Sequence, residues 1–276
     1  MLMKKSLIHF YDSFRLNLGI KRFFKETRKS LDLLRRNIDN VMVFKLFNFL
    51  DIYIKNRIIK HYGADYRWGD EKSQNINKAA GNLGYGMFHY TFIRNIKPKR
   101  VLCVGSMYGF IPYMLAKACS DNKYGKVDFV DAGYDMYNPD DPASHNFGQG
   151  TWSKVNPKEH FSYFLNNRFI DTYTMTLENF TKANRTKYDY IFFDGEPTYK
   201  GLLRDFRLVW SRISNGGYFV LHDIHLKKVL SGFHLEFWKL WRDLDSYPVK
   251  LELSNSYSGM GIIQKRRGVQ LPSKLR

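Results

Sequence analysis

The segment that most constrains this chain is Val101-Leu-Cys-Val-Gly105-Ser-Met-Tyr-Gly109. Four apolar residues in a row fit a strand buried on both faces, and the glycine that follows permits a sharp turn at the strand's carboxyl end. Ile111–Cys119 then reads as a helix, and Lys126–Asp131 as a second strand. A strand, a glycine turn, a helix and another strand within about thirty residues make the opening unit of a parallel α/β sheet. The same alternation continues, with strands expected at Phe169–Thr174, Tyr188–Phe193 and Tyr218–Leu221 and helices at Tyr199–Ile213 and Leu226–Leu244. The last two strands, Val249–Leu253 and Gly261–Gln264, have no helix between them and are expected to pair antiparallel. The pattern therefore predicts a doubly wound, Rossmann-like α/β domain.

In such sheets ligands bind in the crevice at the carboxyl ends of the strands. Asp131 ends the second strand, 26 residues after Gly105. A carboxylate there can accept hydrogen bonds from both hydroxyls of a ribose. The glycine turn lacks the three-glycine dinucleotide pattern, and Met107 stands where the middle glycine would be. Close backbone approach to a pyrophosphate is thus not provided for, which disfavours NAD and FAD and favours a nucleoside without phosphates, such as S-adenosylmethionine (SAM). Asp128, two residues earlier on the same strand, is less well placed.

Two further motifs lie at later strand ends. Tyr188-Asp-Tyr-Ile-Phe-Phe-Asp194-Gly-Glu196-Pro-Thr-Tyr199 puts Asp194 at the end of the fourth strand, and Asn215-Gly-Gly-Tyr-Phe-Val-Leu-His222-Asp223 puts a His–Asp pair at the end of the fifth. Asp194, Asp223 and Glu196 offer oxygen ligands suited to a hard divalent cation such as Mg²⁺. A cation there would lower the pKa of an acceptor hydroxyl and orient it. His222 is the candidate general base, with His225 as the alternative; a ligand role for His222 is a second reading. Each residue also has a plainer reading. Asp194 would orient the amino group of a cofactor, His222 would bond a backbone group, and Asp223 would cap the helix expected from Leu226. Tyr199 and Asp205 read as structural, the latter paired with Arg204 or Arg207.

Taken together, Val101–Gly109, Asp131, Tyr188–Tyr199 and Asn215–Ile224 resemble the class I SAM-dependent methyltransferases, closest to the catechol O-methyltransferase-like and sugar O-methyltransferase branches. The resemblance covers roughly residues 84–264 and implies a seven-stranded sheet with the last strand antiparallel. It further implies that Gly105, Ser106 and Gly109 line the methionine part of SAM and that Asp131 holds its ribose. By the same likeness, adenine would lie near Thr174, Met175 and Thr176, and Gly84-Tyr85-Gly86 would cover the methionine end. The family usually has an acidic residue at the position of Cys103, where it helps hold the SAM amino group; a thiol cannot supply that charge. The family often has a histidine three residues after the position of Asp194, and here Pro197 stands there. The expected activity is methyl transfer to a hydroxyl of a sugar or other small molecule.

Charge bears on partners. The chain has a formal net charge of +18, and residues 1–60 hold 14 Lys and Arg against 5 Asp and Glu. Residues 1–83 read as a basic, amphipathic helical segment, residues 84–264 as the catalytic domain and residues 265–276 as a basic tail. Such charge favours anionic partners: phosphates, acidic glycans, nucleic acid, or an anionic membrane face met by residues 1–60. Two cysteines, Cys103 and Cys119, make no disulfide framework. With no signal peptide recognisable, the expected location is cytoplasmic, peripheral to the inner face of a membrane if the basic helices engage lipid. Three other functions compete. A nucleic-acid methyltransferase acting on base amino groups would carry an Asn-Pro-Pro-Tyr-type motif where Asp-Gly-Glu-Pro stands. Aminopropyl transfer would bring a polyamine to a strongly basic protein. A degenerate membrane-associated scaffold would explain Cys103 without catalysis. The long loop from Ala132 to about Pro157, with Asp140, Asp141, His145 and Gly148–Trp152, reads as a substrate lid. Tyr66, Trp68, His89 and Trp238 are candidate acceptor-cleft residues.

Overall fold

A computed structural model describes residues 84–276 apart from 107–108, 135–149, 163–166, 228, 231–232 and 255–257. The basic segment 1–83, the loop acids Asp140 and Asp141 with His145, and the aromatic residues Tyr66 and Trp68 lie outside the described residues.

The elements are α1 (Gly84–Ile96), β1 (Arg100–Val104), α2 (Phe110–Asn122), β2 (Lys126–Asp131), α3 (Thr151–Lys154), α4 (Pro157–Ser162), β3 (Ile170–Thr174), α5 (Leu177–Ala183), β4 (Tyr188–Phe193), α6 (Tyr199–Trp210), β5 (Ile213–His222), β6 (Val229–Leu230), β7 (Phe233–His234), α7 (Phe237–Asp243), β8 (Lys250–Leu253) and β9 (Met260–Gln264). Seven strands form one sheet in the order β3-β2-β1-β4-β5-β9-β8. β1 to β5 run parallel, and β9 pairs antiparallel with both β5 and β8. This is the Rossmann-like methyltransferase fold expected from the sequence, including the closing antiparallel pair.

Strand alternation divides the core in two. Val101, Cys103, Phe129, Tyr190, Phe192 and Val220 face α1 and α2. Leu102, Val104, Val130, Ile191, Phe193, Phe219 and Leu221 face α5, α6 and α7. Both faces are apolar because helices cover both, which is why β1 and β4 read as unbroken hydrophobic runs. In α6, Leu202, Phe206 and Val209 repeat at helical spacing and are fully buried, and Thr198 caps the helix start by accepting from the Gly201 N–H at 3.3 Å. Among the described residues, the fully buried carboxylate within the sheet, Asp128, lies on the α5 and α6 side. There it accepts from Arg100 at 2.5 Å and from the Tyr188 hydroxyl at 2.7 Å, toward the amino ends of the strands and away from the crevice.

The helix expected over Leu226–Leu244 is not continuous. A short β6–β7 pair occupies its first half and α7 begins at Phe237. The apolar residues at helical spacing belong to two differently packed pieces, so periodicity alone joined what tertiary packing separates. Helix α5 after β3 and helix α1 before β1 were not expected. Strand β5 begins at Ile213, before the Gly216-Gly217 pair rather than after it.

Candidate functional site

The strand order reverses between β1 and β4, and their carboxyl ends open the crevice. Gly105 follows β1 with φ +74°, a left-handed conformation that favours glycine. A Cβ there would stand 2.0 Å from the Asp194 carbonyl oxygen, so the residue must be glycine for β1 and β4 to close together at their ends. At Gly109, φ +84°, a Cβ would press on the rings of Trp152 and Phe161. Both glycines thus have a packing reason, where the sequence suggested room for a ligand. Trp152 is buried and donates from Nε1 to the Ser106 carbonyl at 2.7 Å. It supports the glycine turn from below, which corrects the lid reading for this residue.

Asp131 ends β2 with both carboxylate oxygens engaged by backbone: Oδ2 accepts from Ser106 N–H at 3.1 Å and Oδ1 from Gly133 N–H at 2.8 Å. These bonds aim the group at the glycine turn and fix its rotamer. Each oxygen retains capacity for a second donor. Burial raises its pKa, with the nearby Asp194 charge adding, while the two amide bonds oppose the rise. A further pair of hydroxyl donors would favour the charged form. A ribose supplies such a pair, so the residues present suit the sugar of SAM. Past β3, Met175 donates its N–H to the Asp131 carbonyl at 2.9 Å, and Thr176 caps α5 through its hydroxyl, accepting from Asn179 N–H at 3.2 Å. Met175 therefore lies beside Asp131, with Thr176 next in the chain.

Cys103 is fully buried, and burial, reinforced by Asp194 and Asp131, pushes its thiol well above its ordinary value. It is neutral and supplies no charge. The acidic group nearest this turn on the opposite side of the crevice is Asp194 at the end of β4.

Asp194, His222 and Asp223 converge: one ligand atom from each lies within 4.8 Å of the others. His222 is 3% exposed. Its Nδ1 stands 3.1 Å from Asp223 Oδ1 and 3.5 Å from Asp194 Oδ2, and Nε2 stands 3.3 Å from the Ser258 hydroxyl. Parallel pairing of β4 with β5 brings the two strand ends side by side. Asp223 has φ +58°, a left-handed conformation that is uncommon outside glycine and costs about 1–2 kcal/mol. The turn it makes directs the carboxylate back toward His222.

Glu196 is not in this cluster. Its carboxylate accepts from the Thr198 hydroxyl at 2.6 Å and pairs with Arg204 at 3.1 Å, against the start of α6. The expectation of a third acidic ligand from this residue is therefore corrected: two residues past the strand end, the chain has already turned toward the helix. His225 is likewise drawn away, with Nε2 2.7 Å from Glu252. Asp223 has no long helix to cap. Asp205 pairs with Arg204 at 2.7 Å, and the Tyr199 hydroxyl bonds Asp243, both as structural groups.

Of two residues already singled out in the sequence, Tyr85 stands at the cluster, and His89, a candidate for the acceptor cleft, lies in the core. Tyr85, in the second position of α1, packs edge-on against His222 with ring centroids 6.1 Å apart and donates to the Leu253 carbonyl at 3.1 Å. Burial and the Asp223 charge raise its hydroxyl to about 12. One turn on, His89 is fully buried, with Nδ1 2.6 Å from the Tyr190 hydroxyl. Helical spacing could have paired Tyr85 with His89; nothing local in sequence marks Ser258.

Residues 102–224 match a family model described as a methyltransferase domain. This segment is similar to methyltransferase domains. No curated protein sequence matches the chain. Among solved structures, the cofactor-bound Rv0187 protein from MTB is similar at 13% identity with a TM-score of 0.50, over 67% of this chain and 80% of that one. The Bacillus cereus O-methyltransferase in complex with SAH is similar at 12% identity, TM-score 0.45, over 71% and 84%. TomG, an O-methyltransferase from Streptomyces achromogenes in complex with SAM, is similar at 10% identity, TM-score 0.44, over 66% and 78%. At 13% identity the likeness to the first of these is one of fold. No helix among the described residues is long and apolar enough to cross a membrane.

Proposed function

We propose that this domain moves the SAM methyl group to a hydroxyl of a small-molecule acceptor, with a sugar as the favoured class. The convergence of Asp194, His222 and Asp223 beside the glycine turn carries this reading. In it, Asp131 grips the ribose, Gly84, Gly105, Ser106 and Gly109 surround the methionine portion, and Met175 and Thr176 flank the base. Asp194 also takes the amino group, replacing the charge that Cys103 lacks.

The bound sulfonium supplies an electrophilic methyl carbon. The protein must then present a hydroxyl oxygen and dispose of its proton. His222 can hold that proton at Nδ1, where the imidazolium would be stabilised by carboxylate oxygens 3.1 and 3.5 Å away. Ser258, at Nε2, orients the ring. The same three side chains also suit a divalent cation. Two carboxylates and one imidazole form a mixed oxygen and nitrogen set, which Mg²⁺ or Mn²⁺ would occupy and which would polarise the acceptor hydroxyl. Tyr85 and Phe192 wall the histidine against water. Amino-group methylation of nucleic acid is disfavoured, because Asp-Gly-Glu-Pro follows β4 and acidic side chains face the reaction point.

The test is a screen of labelled SAM against sugar acceptors, with Mg²⁺, with Mn²⁺ and with EDTA. Label transfer to a sugar hydroxyl supports the assignment. Transfer to RNA or DNA but to no sugar overturns it. Loss of turnover in EDTA assigns the cluster to a cation, and full turnover in EDTA assigns His222 as the base.

A further inference from the structure

The short helix α7 presents one indole to three cations. Lys227 Nζ lies 5.1 Å, Arg242 Cζ 5.2 Å and Lys239 Nζ 5.6 Å from the Trp238 ring centroid. Each is within the range of a cation–π contact. Since all three share one centroid, no two can be farther apart than twice the longest of these distances.

The neighbouring cation–aromatic pairs are neutralised. Lys250, over Trp241, bonds Asp245 at 2.6 Å, and Lys274, over Tyr199, bonds Asp243 at 2.9 Å. Lys239 pairs with Glu236. Lys227 and Arg242 differ: both are exposed, and among the described residues no carboxylate pairs with either. Among the described residues, two cations without a carboxylate partner thus stand against an aromatic platform.

Their place is the sheet's carboxyl edge. Leu226 N–H bonds the Asp223 carbonyl at 3.1 Å, and Lys227 is the next residue. Glu236 N–H bonds the Pro197 carbonyl at 2.9 Å and its carboxylate accepts from Tyr199 N–H at 2.6 Å, which anchors α7 three residues past Asp194. Four residues of chain span at most ~14 Å, so Lys227 lies within that reach of Asp223.

We infer that Lys227, Trp238 and Arg242 form an anion subsite for the acceptor, and that the acceptor is a sugar carrying a phosphate or diphosphate. The inference rests on the methyltransferase reading of the adjoining crevice. The diphosphate would lie between the lysine and the guanidinium, which matches phosphate oxygens bidentately. The indole would hold the two cations in place beside the anion. The reacting hydroxyl would be carried on the sugar toward the Asp194–His222–Asp223 cluster, within the ~14 Å that separates Lys227 from Asp223 at most.

Calorimetry on the full chain tests this, using uridine diphosphate glucose, inorganic diphosphate and uncharged methyl glucoside as probes. The Lys227→Gln/Arg242→Gln double variant changes exposed side chains, so the protein should remain folded; its melting temperature checks this. The diphosphate sugar should bind the wild type more tightly than methyl glucoside. Its Kd should rise about tenfold or more in the double variant while the SAM Kd stays unchanged. In turnover, KM for the anionic acceptor should rise with kcat preserved, the signature of a lost binding contact. Equal Kd in both proteins overturns the inference, as does equal affinity for methyl glucoside. Charge-dependent binding of phosphatidylglycerol vesicles or an RNA oligonucleotide, without the diphosphate sugar, overturns it in favour of that partner. Absence of SAM binding in the wild type would sink the methyltransferase reading instead, and the diphosphate titration would still report on this subsite by itself.

Discussion

Replacing Asp131 with alanine separates a ligand-gripping carboxylate from a merely structural one. The side chain accepts from Ser106 and Gly133 amides and faces the glycine turn. With SAM bound, two ribose hydroxyls would add two bonds to a charged acceptor, each contributing about 1.5–3 kcal/mol. Their loss corresponds to a SAM Kd weaker by about 10²- to 10⁴-fold. The fold itself should suffer less. Two amides lose their acceptor, at about 1–3 kcal/mol each if water cannot reach them. Removal of a carboxylate whose ionisation burial opposes offsets part of this. Calorimetry gives the affinity and thermal melting gives the stability. Asp128→Asn is the control, because this group lies on the opposite face, held by Arg100 and Tyr188. It should lower the melting temperature and leave SAM binding alone. A folded Asp131→Ala protein that binds SAM within about threefold of wild type would refute the reasoning.

Three other outcomes are expected. Gly105→Ala should give little folded protein, since its Cβ would sit 2.0 Å from the Asp194 carbonyl at a φ of +74°; a normal melting temperature would contradict the packing described. Asp194→Ala should abolish turnover, whereas Glu196→Ala should leave turnover near wild type and cost at most about 1 kcal/mol, as expected of a half-exposed ion pair; activity and melting curves decide between them. Burial holds His89 down to about 3, so the unfolded chain takes up a proton that the folded one refuses. Its contribution to stability is complete above pH 6.5 and is lost as pH falls, by about 2 kcal/mol at pH 5. His89→Gln should flatten that slope in denaturant titrations, and an unchanged slope would exclude the assignment.

Legibility differed sharply between elements. Arg100–Val104 and Lys126–Asp131 could be delimited from sequence because central parallel strands bury both faces and read as apolar runs with a polar end. The antiparallel closing pair was legible from the missing crossover helix. Leu226–Leu244 misled because its spacing of apolar residues does not tell one helix from a strand pair followed by a short helix. In the site, Asp131, Asp194 and the His222-Asp223 pair stood out because strand ends in such sheets point at the crevice. Glu196 and His225 looked equivalent by proximity in sequence, yet each is captured by an oppositely charged or hydrogen-bonding neighbour, Arg204 and Glu252.

A carboxylate ending β2 beside a glycine turn, and acids with a histidine ending β4 and β5, could be read from the chain alone. Strand period and glycine chemistry are local properties, so they survive without knowledge of the neighbours. Which of those polar groups meet depends on how distant elements pack. Tyr85 reaches His222 from a helix more than a hundred residues away, Ser258 closes the ring's other nitrogen from the β9 side, and Trp238 collects cations from both ends of the 224–242 segment. Such contacts are set by the packing of whole elements, and no spacing along the chain encodes them.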